Sequence, residues 1–199
     1  MSCSMDMYLE SSTYIDWDAE HIKSLALFLS SGLESDEDIA RGCFEWVRDN
    51  IKHSHDFKLN PVTCKASEVL IHRTGYCYAK SHLLAALLRA NFIPAGLGYQ
   101  RLSIDEMGAP YCLHGLNFVF LKKHGWYRLD ARGNKEGINA QFSPPLEQLA
   151  FSIKRKSEYD FPEIMSKPLP SIVSVLEKFK TYDEVYRNLP DIETESQNE

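Results

Sequence analysis

The chain has 199 residues, of which 44% are hydrophobic, 12% aromatic and 25% charged, and its formal net charge is −6. These are globular values that permit a packed core and exclude wholesale disorder. The acidic balance, with no basic stripe interleaved with aromatics, excludes nucleic acid as an expected partner, because phosphate binding needs clustered Lys and Arg.

The first residues, MSCSMDMYLESSTYID, lack the basic and apolar regions of a secretory signal. No apolar run reaches the roughly 18 residues that span a bilayer, so no membrane partner is expected. The five cysteines, Cys3, Cys43, Cys64, Cys77 and Cys112, are odd in number and irregularly spaced. That argues against a disulfide framework and for a reducing compartment, so the expectation is a soluble, cytoplasmic protein.

Residues 17–33 carry a helical apolar stripe at Ile22, Leu25, Ala26 and Leu29, ended by Gly32. Ser35 is an N-cap for a second helix, acidic in its first turn, that runs to about Ile51. HSHDFKLNPVTCK reads as irregular, and a short helix follows near ASEVLIHR. His53, His55 and Asp56 have a metal-like look, but no CxxC or HExxH accompanies them, and a polar loop is the simpler reading. A longer helix starts at Cys77, with Ala79, Leu83, Leu84, Leu87 and Leu88 on one broad face, and stops at Asn91 and Pro94.

Beyond it the period changes. Residues 96–102, 113–121 and 126–131 are short, aromatic and aliphatic, and predict strands, the last two joined by a turn at Lys122–Gly125. A helical segment is expected over 171–189, and the acidic tail from Asp191 to Glu199 should fray. Helices followed by strands predict an α+β fold, with no linker that would divide the chain.

One cysteine stands apart. Cys77 follows a Gly-Tyr pair and opens a helix, where aligned peptide dipoles and free N–H groups favour a thiolate, the nucleophilic form of sulfur. The same N–H groups suit an oxyanion formed when that sulfur attacks a carbonyl. His114 shares a strand face with Leu116, Phe118 and Phe120, where a histidine is more often a core residue than a catalyst. Asp130 ends WYRLD and, across an antiparallel pair, falls opposite or diagonal to His114. A carboxylate there fixes the imidazole tautomer and stabilises its charged form.

Gly75-Tyr76-Cys77, the run LLAALLRA with Phe92-Ile93-Pro94-Ala95, the strand LHGLNFVFL and the strand GWYRLDA together resemble the transglutaminase-like superfamily of papain-type cysteine enzymes. The resemblance covers roughly Ile39 to Asn134. It implies a papain/transglutaminase-like core at about 39–134 in a single domain over 1–199. A helical extension would precede the core, and a helical and loop appendage would follow it. It also implies Cys77 as nucleophile, His114 as general base and acid, and Asp130 as the residue that orients His114, with no cofactor and no metal.

The papain branch places a Gln before its cysteine as oxyanion donor, but Glu68 to Tyr76 holds no Gln or Asn. The Cys77 backbone N–H is then the main donor, with Trp46, Gln100 and His72 as side-chain candidates. Segments 57–66, 103–112 and 132–147, including Asp105 and Glu106, are expected as cleft loops; Cys64 and Cys112 carry no positional cue.

The activity expected is cysteine-dependent acyl hydrolysis or transfer, as a protease, amidase or acyltransferase, on a peptide, protein or small amide. The alternatives are a true transglutaminase that joins Gln to an amine, or an inactive module that binds peptides in the cleft. The oligomeric state is open.

Overall fold

A computed structural model describes residues 5–105 and 107–192 of the chain. Cys3, Glu106 and the tail from residue 193, each assigned a place above, lie outside the described residues.

Helices α1 (Glu20–Ser30) and α2 (Asp36–Asn50) follow the expected periods. The Ser35 hydroxyl accepts the Asp38 N–H at 3.0 Å, and Asp36, Glu37 and Asp38 fill the first turn against the helix dipole. The next stretch is more ordered than its composition implies. It contains a two-residue strand, β1 (Lys52–His53), and a one-turn helix, α3 (Ser54–Phe57). After α4 (Ala66–His72), β1 pairs in parallel with β2 (Thr74–Gly75), setting His53 opposite Gly75.

Helix α5 (Cys77–Ala90) forms the centre. The sequence predicts one apolar face, but every residue from Cys77 to Arg89 is buried, because α1, α2, α4 and the sheet surround the helix. Its polar side chains therefore bond inside the protein. Arg89 donates to Ala95 O, to Glu10 O at 2.8 Å and to Ser166 O at 2.8 Å. Lys80 donates to Ile51 O and so closes the C-terminal end of α2.

Strands β3 (Ala95–Ser103), β4 (Tyr111–Leu121) and β5 (Gly125–Leu129) match the expected three. A hairpin, β6 (Gln141–Ser143) and β7 (Leu146–Gln148), precedes β8 (Tyr159–Asp160). The main sheet has the order β5-β4-β3-β8 and is antiparallel throughout. The architecture is α+β, helices packed on an antiparallel sheet, and no helix among the described residues is long and apolar enough to cross a membrane.

The single helix expected over 171–189 is two, α6 (Pro170–Lys178) and α7 (Tyr182–Tyr186). Thr181 interrupts it with a reciprocal cap, accepting the Glu184 N–H while the Glu184 carboxylate accepts the Thr181 N–H. Asp191, expected as the start of a frayed tail, is held instead: Arg101 grips both of its carboxylate oxygens at 2.7 Å.

Replacing Arg89 with Met should strip the donor from three carbonyl groups, that of Ala95 fully buried, and destabilise the protein by about 3 kcal/mol or more. A lower urea midpoint at unchanged slope would register this; a midpoint near wild type would show that Arg89 does not hold these segments together.

Candidate active site

Cys77 is the first residue of α5, and its N-cap residue, Tyr76, supplies no side-chain cap. The first-turn N–H groups, which have no partner within a helix, are thus left uncapped by that residue. The helix end lies against β4 at Gly115, whose N–H reaches Cys77 Sγ at 3.4 Å. A side chain at this point is impossible without movement: a Cβ on Gly115 would stand 3.1 Å from Tyr78 Cα and 3.2 Å from Tyr78 N.

His114 immediately precedes Gly115. Its Nε2 meets Asp130 Oδ2 at 2.7 Å, and the Cys77 sulfur is a close electrostatic neighbour of its ring. The register Asn117↔Leu129 places Asp130 just past β5 and diagonal to His114, as the sequence predicts. Burial opposes a charge on His114. The Asp130 carboxylate and the Cys77 sulfur outweigh it and raise the pKa to about 10. Burial likewise opposes ionisation of Asp130, but the His114 charge and the N–H groups of Arg132 (3.0 Å) and Ala150 (3.2 Å) hold its pKa below the usual value. Phe151 stands edge-on to the His114 ring, 4.9 Å between centroids. Cys77, His114 and Asp130 are brought together.

Cys77 and His114 line a cleft of about 560 Å³. One wall is the α3 and α5 region, with His53, Asp56 and Tyr76; the facing wall is the sheet, with Leu102, Cys112 and Leu113. Arg132, Lys135–Ile138 and Ala150–Ser152 form a third side. Segment 57–66, expected as a cleft loop, does not line it: Asn60 is turned to the Tyr182 N–H, and Thr63 and Cys64 are buried. Gly75, two residues before Cys77, faces inward, where Ala79 Cβ and Thr63 Oγ1 would each lie 3.2 Å from a Cβ.

None of the three candidate side-chain oxyanion donors lines the cleft. Trp46 lies under the Arg73 guanidinium, 4.8 Å from its ring centre. Gln100 donates to Asp160 Oδ1 at 2.8 Å, and His72 is exposed at the end of α4. His53 lines the cleft instead, edge-on to Tyr76 at 5.3 Å, with Nδ1 facing Asp56 Oδ2 at 3.7 Å. Burial, then the Arg132 charge, push its pKa well down and keep it neutral. Asp56 is held by Arg132 at 2.6 and 3.0 Å and by Lys135 at 2.7 Å. His55 stacks on Tyr186 at 4.0 Å. Cys112, without a positional cue in the sequence, lies on the cleft wall, while Cys64 is buried. Burial pushes both thiols up to about 12.

Gly115→Ala should drive the first turn of α5 away from β4 and cost about 1–3 kcal/mol of stability through overpacking. Iodoacetamide labelling of Cys77, followed by peptide mass spectrometry, should slow at least tenfold. Labelling at the wild-type rate would show that the close approach is irrelevant to the sulfur.

A family model described as the transglutaminase-like superfamily matches residues 23–131. A comparison with curated proteins finds no match. Among solved structures, the chain is similar to a proposed cysteine protease from Cytophaga hutchinsonii, with a TM-score of 0.53 and 21% identity over 66% of this chain and 43% of that one. It is also similar to the periplasmic domain of TgpA from Pseudomonas aeruginosa (TM-score 0.46, 18% identity, 65% of this chain and 48% of that one). The chain spans less than half the length of either, and at these identities the likeness is one of fold. Since the family match takes in more than half of the chain and includes all three residues assembled at the cleft, this protein belongs to the transglutaminase-like superfamily.

Proposed function

We propose that the protein is a cysteine-dependent acyl hydrolase that forms an acyl-enzyme on Cys77, with an amide or peptide as substrate. One observation carries the reading: Cys77 and His114 line one cleft side by side, the Cys77 sulfur 3.4 Å from the N–H of the residue after His114, and the His114 ring is hydrogen-bonded to the Asp130 carboxylate at 2.7 Å.

The mechanism follows from that order. The Cys77 thiolate attacks the carbonyl carbon, and the electron pair moves to oxygen. The uncapped N–H groups of the first turn of α5, Cys77 N–H foremost, are the donors for this oxyanion. His114 gives its proton to the leaving nitrogen, the C–N bond breaks, and the acyl group stays on sulfur. Acylation removes the sulfur charge that helped hold the proton on His114, so the ring's pKa falls and, having given up its proton, it stays neutral and free to accept another. It then takes a proton from water, and hydroxide attack releases the acid and restores the thiolate. Asp130 keeps the ring oriented and balances its charge in both halves.

Resolution by water is favoured over an amine because the cleft rim is charged, with Lys135, Glu136, Lys154, Arg155 and Glu158 among its lining residues. An acceptor channel for a Lys-like amine needs apolar walls that exclude water.

Because the raised pKa keeps His114 protonated below about 10, turnover that uses its proton should persist through neutral pH and fall as pH rises through about 10. Asp130→Asn removes the charge that opposes burial, so this alkaline limb should move to lower pH, with kcat down roughly 10²–10⁴-fold. A kcat–pH profile on a fluorogenic amide checks both; an alkaline limb unmoved by Asp130→Asn would separate Asp130 from the chemistry.

Partition of an acyl donor peptide between water and a millimolar alkylamine tracer should yield mostly the hydrolysed acid by mass spectrometry. A dominant amine adduct would make the protein a transferase.

A further inference from the structure

The backbone edge beside the Cys77 sulfur is already in use. On one edge of β4, pairing with β3 runs from Tyr111 to Val119; on the other, β5 covers only Asn117 to Leu121. Leu113 and Gly115 therefore turn backbone groups toward an edge that β5 leaves open. The Gly115 N–H goes to Cys77 Sγ, and Leu113 O accepts the Tyr78 hydroxyl. The Leu113 N–H donates to Pro190 O at 2.8 Å. The sulfur thus occupies a gap of about 13 Å of strand, closed by β5 at one end and by the segment around Pro190 at the other.

That segment is anchored on both walls of the cleft. Toward the helices, Val185 is buried, the Tyr182 N–H donates to Asn60 Oδ1 at 2.8 Å, and Tyr182 O accepts the Tyr76 hydroxyl. Toward the sheet, Pro190 is buried, Asp191 takes the two-pronged grip of Arg101, and Ile192 O accepts the Tyr159 hydroxyl at 3.2 Å. Between these anchors Tyr186 and Leu189 face the cleft.

We infer that Tyr186–Ile192 is a fixed end-wall of the cleft that restricts the enzyme to compact amides, at a chain end or in a small molecule. The interior of an extended polypeptide is excluded. Peptides bound as an added strand use the free N–H and C=O groups of a sheet edge for affinity. Here those of Leu113 are occupied, so an extended chain cannot lie along β4 past His114, and a substrate must reach Cys77 end-on. The remaining cavity, about 560 Å³, lies within the roughly 300–1,000 Å³ usual for small-molecule sites. The inference rests on the acyl-transfer reading above and narrows its substrate class.

The test compares two substrates with the same scissile amide on the full chain. One is a short acyl amide, and the other embeds the amide in a ten-residue peptide blocked at both ends. Wild type should prefer the compact amide at least tenfold in kcat/KM. Asp191→Lys, which sets a cation against Arg101 and touches no reacting group, should raise turnover of the embedded peptide at least threefold and leave the compact amide within twofold. Hydrogen exchange at the Leu113 amide should be protected in wild type and at least tenfold faster in Asp191→Lys. Equal turnover of both substrates by wild type would overturn the end-wall, as would a parallel loss on both in the variant. Absence of Cys77-dependent turnover with either substrate would overturn the acyl-transfer reading instead. Unprotected exchange at Leu113 in wild type would still refute the end-wall in that case.

Discussion

The close approach of the α5 N-terminus to β4 at Gly115 is the constraint on which the site depends. The Cβ of any other residue would stand 3.0–3.2 Å from three atoms of Tyr78, two of them backbone. Hydrogen bonds flank the contact and fix its position along the strand. The Tyr78 hydroxyl donates to Leu113 O on one side, and Asn117 Nδ2 donates to Ser81 O at 2.9 Å on the other. With helix and strand locked in this register, Cys77 Sγ comes within 3.4 Å of the Gly115 N–H, and the adjacent His114 ring reaches the sulfur. The placement of Cys77 beside His114 is thus a consequence of backbone packing, which holds the two more rigidly than loops would.

Burying so many charges is tolerable because each has a partner. Asp130 is fully enclosed, yet it accepts from His114, the Arg132 N–H and the Ala150 N–H. The Arg132 side chain in turn engages Asp56, and its guanidinium lies over Phe151 at 5.5 Å from the ring centre. Phe151 itself packs edge-on to His114. The segment after β5 is therefore organised around two carboxylates, one turned to the imidazole and the other anchoring the cleft wall. Removing one member of such a set leaves an uncompensated buried charge, which costs more than the pair's own interaction.

The sequence made parts of this arrangement readable for physical reasons. Cys77 is flagged by its place at the start of an apolar run, and His114 and Asp130 by a short turn that leaves little freedom in register. The burial of α5 on every side was not legible, because Lys80, Ser81, His82 and Arg89 look like a solvated face until their backbone partners are known. His53 stands within a polar run that carries no sign of a cleft. Its entry into the cleft depends on a two-residue parallel pairing with β2, too short to leave a periodic signal. Trp46, Gln100 and His72 were plausible as donors by residue type, but type does not reveal which way a side chain faces. The docking of Pro190 and Asp191 was hidden as well, since an acidic C-terminal stretch carries no mark of the arginine it will meet.

The most direct test of the central claim is to trap the intermediate. Mixing the protein with an activated acyl ester, quenching in acid and mapping the modified peptide by mass spectrometry should place the acyl group on Cys77. The burst should vanish in Cys77→Ala and slow at least a hundredfold in His114→Ala. Acylation spread over Cys43, Cys64 and Cys112, or a Cys77 burst that is indifferent to loss of His114, would contradict the account.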